Sequence, residues 1–157
     1  MKNKTNAMRR LDAARIPYEV MEYVVDENDL SGTHLADQLS LPYEMVFKTL
    51  VAKGDKTGHL VFCIPVHREI DLKRAAAATG NKRIEMVQVK ELLALTGYIR
   101  GGCSPIGMKK KFPTYFDASA KEQPRVTVSA GVRGAQLLLD TETLCAFVEA
   151  TYVDITV

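Results

Sequence analysis

Residues 101–107 read Gly-Gly-Cys-Ser-Pro-Ile-Gly, and three glycines and a proline in seven residues exclude an ordinary helix or strand there. Glycine reaches the left-handed region and carries no side chain, so backbone amides in such a turn can come close to a ligand. An oxyanion or a phosphate suits that geometry; a tight connection with no ligand is the alternative. The stretch follows an amphipathic helix pattern and runs into Lys109, Lys110 and Lys111. Two other stretches share its character. Val46–Leu50 (VFKTL) sets a single lysine in an apolar run, and Val128–Gly134 (VSAGVRG) offers a second small-residue turn with a serine and an arginine.

The 157 residues suit one domain, residues 1–157, with a sizeable core. Hydrophobic residues make up 46% and charged residues 25%, values typical of a globular protein, and no segment approaches the roughly 20 apolar residues of a membrane span. The basic N-terminus lacks the apolar stretch and cleavage site of a secretory signal, so a cytoplasmic location is expected. Cys63, Cys103 and Cys145 are odd in number and widely spaced, which predicts neither a disulfide framework nor a zinc site. His34, His59 and His67 lack metal-ligand spacing as well, and no metal is expected. A net charge of +2 is too small to mark a nucleic-acid binder alone. Lys73 with Arg74, Lys82 with Arg83, and Lys109–Lys111 are local clusters that could contact phosphates or simply form a solvated face.

Along the chain, residues 5–15 predict a helix capped by Thr5 or Asn6 and ended by Pro17, and Tyr18–Val25 a half-buried strand. Ser31 or Thr33 caps a short helix with the stripe Leu35, Ala36 and Leu39. Val46–Lys53 and His59–Val66 predict a hairpin about the segment GDKTG. Asp71 caps the helix Leu72–Thr79, Ile84–Val89 is a strand, and Lys90–Thr96 a helix closed by Gly97. Thr114–Asp117, Arg125–Ser129 and Gln136–Asp140 read as strands, Thr141–Ala150 as a helix and Tyr152–Ile155 as a last strand. Frequent hairpin connections favour an α+β domain, with a mixed, curved, barrel-like sheet flanked by helices, over a doubly wound parallel one.

The ordered set FKTL (47–50), DLKRAA (71–76), KRIEM (82–86), TGY with GGCSPIG (96–107) and VSAGVRG (128–134) resembles the YbaK/EbsC family over essentially the whole chain. Its best-known members are cysteinyl-tRNA(Pro) deacylases that edit mischarged tRNA in trans. The resemblance implies a barrel-like mixed sheet, cleavage of an aminoacyl ester, and no metal or organic cofactor. It gives the acceptor end of a mischarged tRNA as partner, with prolyl-tRNA synthetase as a second candidate. Lys48 matches the family's functional lysine and Thr49 its neighbouring threonine. Gly101, Gly102, Cys103, Ser104 and Pro105 match the loop against the aminoacyl ester; Ser129, followed by Ala130 and Gly131, matches a pocket serine turn, and Tyr23 a pocket aromatic. Ser31 stands where many such deacylases carry an aromatic residue, Cys103 where isoleucine is common, and Ala130 and Val132 are further departures within the serine turn. These departures bear on substrate choice.

An aminoacyl ester is already activated, so the chief task is to stabilise charge on its carbonyl oxygen. Lys48 and the backbone amides at Gly101 and Gly102 are the expected catalytic groups. No Ser-His-Asp or Cys-His arrangement can be read from the residue order, and Ser104 before Pro105 has no evident base. The resemblance implies that the thiol of bound cysteine attacks its own carbonyl and leaves as a thiolactone. Two alternatives remain at this point: the same cleavage on another small amino acid such as alanine, or a non-catalytic module binding tRNA or nucleotide.

Overall fold

The computed structural model describes residues 3–157. Helix α1 (Asn6–Ala13) begins where the Thr5 side chain accepts a hydrogen bond from the Met8 amide, and it buries Ala7, Met8 and Leu11. Strand β1 (Glu19–Glu22) follows. It is shorter than the run Tyr18–Val25 predicts, because past Tyr23 the amide and carbonyl of Val24 pair with the side chain of Gln38. Helix α2 (Gly32–Leu39), capped by Ser31, leads to a 3-10 turn at Tyr43–Met45 and then to the hairpin β2 (Phe47–Gly54) and β3 (Gly58–Pro65).

Helix α3 (Leu72–Thr79) is capped by Asp71, whose carboxylate accepts from the amides of Lys73 and Arg74. Then come β4 (Ile84–Met86), α4 (Val89–Thr96), β5 (Thr114–Asp117), β6 (Arg125–Ser129), β7 (Ala135–Asp140), α5 (Thr141–Phe147) and β8 (Thr151–Val153). A 3-10 turn at Ala118–Glu122, capped by Asp117, lay outside the sequence expectation. The last helix stops three residues early, at Phe147, and Glu149 beyond it adopts a φ of 55°.

Among the described residues the strands form two sheets and no closed barrel. One has the order β1-β7-β6, all antiparallel; the other runs β4-β2-β3-β5-β8, antiparallel as far as β3 and parallel beyond it. A single parallel bridge, Val46 with Thr127, links them. Strand β3 explains the layering. Val61 and Cys63 join a core with Val126, Val128, Leu137 and Leu139 of the smaller sheet, while Leu60, Phe62 and Ile64 join another with Ala75 and Ala76 of α3. A strand covered on both faces needs an unbroken apolar run, as β3 has, whereas the exposed face of a two-layer sheet would alternate with polar residues. Each such fully buried side chain contributes about 1.5 to 3 kcal/mol.

The hairpin tip is held by Asn81, just beyond α3. Its side-chain oxygen accepts from the amides of Lys56 and Thr57, at 2.9 and 3.1 Å, and its nitrogen donates to the hydroxyls of Thr57 and Thr79. Gly54 makes room for it, since a Cβ there would stand 2.4 Å from the Asn81 amide nitrogen. Asn81→Ala removes these bonds at a buried position, and a loss of roughly 2 to 3 kcal/mol is expected. Urea unfolding of the two proteins measures it; a loss below roughly 0.5 kcal/mol would contradict this reading of the hairpin tip.

Candidate active site

A cavity of about 600 Å³ opens between α2, the start of β2, the turn after α4 and the turn between β6 and β7. Val46, Phe47, Lys48, Thr49 and Leu50 all line it without a break. Neighbouring strand residues point to opposite faces, so an unbroken run means that the cavity meets β2 along its edge and reaches both faces. Lys48 is half-buried there, and its side-chain ammonium makes no hydrogen bond or ion pair among the described residues. The hydroxyl of Thr49 lies 3.7 Å from the buried thiol of Cys63.

Tyr23, Ser31, Gly101, Cys103 and Ser129 stand on the same wall. Ser31 is occupied as the cap of α2: its oxygen accepts from the His34 amide, and its own amide donates to Asp29. The Ser129 oxygen accepts from the Gly131 amide at 3.1 Å, which leaves its hydroxyl proton free to donate. Gly101 has a φ of +85° and lies under the side chain of Arg133, whose Nε donates to the Arg100 carbonyl at 2.8 Å. Among the described residues, the amides of Gly101 and Cys103 make no hydrogen bond.

Five of the expected residues are not on the cavity wall. Gly102 donates its amide to the Ile99 carbonyl and packs against the backbone of Val132 and Arg133, so its N–H serves the turn rather than a ligand. Ser104 is fully buried and accepts from the Ile106 amide, which stiffens the turn from within. Pro105 borders a separate groove with Arg10, Lys110 and Phe112. Ala130 belongs to the core between the sheets, and Gly131 lies beneath the ring of Tyr98.

Residues 31–147 match the family described as the aminoacyl-tRNA editing domain. The chain belongs to this family. It is 46% identical over 153 residues, 98% of the chain and 93% of the relative, to a protein of Enterococcus faecalis named as a candidate Cys-tRNA(Pro)/Cys-tRNA(Cys) deacylase, EbsC. It is 26% identical over 107 residues, 61% of the chain, to a proline–tRNA ligase of Thermosipho africanus, of which the match spans 19%. A crystal structure described as a candidate trans-editing enzyme for prolyl-tRNA synthetase superposes with a TM-score of 0.82, covering 99% of both chains at 23% identity, which establishes the shared fold.

Several polar residues on the wall of this editing domain escaped the sequence reading, Asp26, Asp29, His34, His67 and Glu69 among them, together with two arginines and a glutamine. Arg100 and Arg133 sit at the cavity beside Gly101, and Arg133 was visible as the charged residue of VSAGVRG without a role. Gln136 is buried, accepts from the Thr127 hydroxyl at 3.2 Å, and has no partner for its amide nitrogen among the described residues. A glutamine inside the otherwise apolar run of β7 was the available signal.

Cys103 is the cysteine on the wall. Burial pushes its thiol up to about 12 and pushes the Cys63 and Cys145 thiols up as well, so all three are neutral near pH 7. These folded values lie above those of exposed thiols. Their contribution to stability is therefore complete below about pH 8.5, the unfolded value, and is lost as pH rises through the folded ones. Stability is expected to fall steadily above about pH 9, and the native protein to resist a thiol-specific reagent at pH 8 until it is unfolded. Titrating thiols with and without urea checks the second expectation; rapid labelling of native Cys103 would contradict it.

Proposed function

We propose that this editing domain is a trans-acting deacylase that frees tRNA(Pro) from wrongly attached cysteine, with Lys48 and Gly101 at the reacting ester. One observation carries the reading: the cavity gathers unpartnered donors, and no Ser-His or Cys-His pair is assembled on its wall among the described residues. Among the described residues, no wall hydroxyl is hydrogen-bonded to a histidine ring. Ser31 contacts Thr33, the His34 amide and the Asp29 carboxylate, Thr49 contacts Cys63, and Ser129 contacts the Gly131 amide. Cys103 is neutral. A substrate that brings its own nucleophile meets the one need that the protein leaves open.

A cysteinyl ester does so. With a reference pKa of about 8.5, its thiol is ionised to about one part in ten at pH 7.5. The thiolate attacks the carbonyl carbon of the same residue, a C–S bond forms, and the negative charge moves to the carbonyl oxygen. Lys48 and the free Gly101 and Cys103 amides stabilise that charge. Collapse breaks the ester C–O bond, the ribose hydroxyl leaves with a proton from solvent, and a thiolactone departs. Holding thiol and carbonyl together supplies much of the rate through orientation. Alanine lacks the thiol and would need an activated water in its place.

The named relatives support the substrate class: one carries a Cys-tRNA name and the other is a ligase for tRNA and proline. With a net charge of only +2, recognition of tRNA rests on a few phosphate contacts, and prolyl-tRNA synthetase is the partner that would supply further selectivity. Tyr23, Ser129 and Gln136 border the space left for the amino acid.

Single-turnover deacylation of cysteinyl-tRNA(Pro) tests the roles. Lys48→Ala is expected to slow it by about 100- to 1000-fold, the cost of losing one oxyanion donor, while the protein still folds. Cys103→Ala is expected to retain activity within about tenfold, and quenched wild-type protein to carry no aminoacyl adduct by mass spectrometry. A fully active Lys48→Ala protein removes the site assignment. An inactive Cys103→Ala protein together with an adduct on the wild type replaces the mechanism with an enzyme-thiol one.

A further inference from the structure

The edge of β2 that borders the cavity is open for the length of one residue. Toward its C-terminal end β2 pairs with β4 at Ala52, Lys53 and Gly54, and the Val51 carbonyl accepts from the Val87 amide at 3.1 Å. Toward its N-terminal end the Val46–Thr127 bridge closes the same edge against β6. Between these closures the alternation of an antiparallel ladder decides where each main-chain group points. The Val46 carbonyl accepts from Val66, so by the alternation Lys48 and Leu50 direct their amides and carbonyls toward β3; Val51 directs its carbonyl away from it, and Thr49 must do likewise. The Thr49 N–H and C=O therefore face the gap, with no strand opposite and the cavity beside them.

We propose that the aminoacyl group of the substrate fills this gap as a one-residue strand addition, its α-ammonium donating to the Thr49 carbonyl and its ester carbonyl accepting from the Thr49 N–H. The length of the gap selects the occupant. A peptide strand would collide with β4 and β6, whereas an aminoacyl ester carries one residue's worth of N–H and C=O, the complement of a single open position. The pairing deepens the function proposed above and rests on it. It makes the Thr49 N–H a main-chain donor to the developing oxyanion, beside the Lys48 side chain, in place of the Gly102 amide that the turn consumes. It also makes the α-amino group a recognition element, and it orients the amino-acid side chain relative to the strand, so that the two enantiomers place it differently.

The probe is 3′-(L-cysteinyl)amino-3′-deoxyadenosine, in which an amide replaces the labile ester, with its 3-mercaptopropionyl counterpart lacking the α-amine. In the free protein, the Thr49 amide is expected to exchange with solvent faster than those of Lys48 and Leu50, as read by NMR. Binding of the cysteinyl probe is expected to shift the Thr49 amide resonance and slow its exchange at least tenfold. The deaminated probe is expected to bind roughly tenfold or more weakly, since it forfeits a charge-assisted bond. Equal protection of Thr49 and Leu50 in the free protein overturns the register. A cysteinyl probe that binds without moving Thr49, or a deaminated probe that binds equally well, overturns the strand addition and leaves cysteinyl deacylation standing. Absence of probe binding, together with no turnover of cysteinyl-tRNA(Pro), overturns the function and this inference with it.

Discussion

The backbone of Gly102 lies against that of Val132 and Arg133 so closely that a Cβ on this residue would stand 3.0 Å from both of them. This contact joins the turn after α4 to the turn between β6 and β7, and so fixes one wall of the cavity relative to the smaller sheet. Everything nearby depends on it. The Gly102 amide closes its own turn on Ile99, Arg133 is left to lie across Gly101, and Ser104 is buried behind the turn as a brace. The glycines at 101 and 102 therefore have different work: one permits a left-handed backbone at the cavity, and the other permits two turns to touch.

Opposite this wall, the edge of β2 is held by cores on both of its faces, with Phe47 and Val51 packed toward the smaller sheet and Ala52 toward α3. A site built on a strand so buried has little freedom to shift, which suits a reaction whose rate comes from orientation. The electrostatics follow the same division. Lys48, Arg100 and Arg133 bring positive charge to the cavity and Asp26, Asp29 and Glu69 stand on the same wall, while the Cys103 thiol is held neutral by burial. The protein supplies positive charge and amide donors, and the proposed substrate supplies the nucleophile.

Most of the fold could be read from the sequence because its signals were local. Asp71 and Gly80 bracket α3, the two apolar runs about GDKTG form the hairpin, and β5, β6 and β7 lie within a residue of their expected spans. What the sequence could not give was the partition of strands. The α+β class with a curved, mixed sheet was legible from the hairpin connections, but the division into two sheets joined by a bridge arises from long-range pairing of β1 with β7, which leaves no local mark. The site divided similarly. Lys48, Gly101 and Ser129 were marked by a lone charge or by small residues, whereas Ser104 and Ala130 shared those motifs yet point into the protein. Gly102 was conspicuous for a packing reason that resembles a ligand-binding one. Gln136 and the open edge at Thr49 became visible only once the strands were paired.

The central claim is that the substrate's own thiol performs the attack, and its most direct test compares one tRNA(Pro) carrying cysteine, alanine or serine. With catalytic amounts of protein, and each rate divided by its uncatalysed hydrolysis, cysteinyl-tRNA(Pro) is predicted to be cleaved at least about 100-fold more effectively than either of the others, in the range by which one missing catalytic interaction slows an enzyme. Equal or preferred cleavage of alanyl-tRNA(Pro) would contradict the account, because alanine has no group with which to attack its own ester.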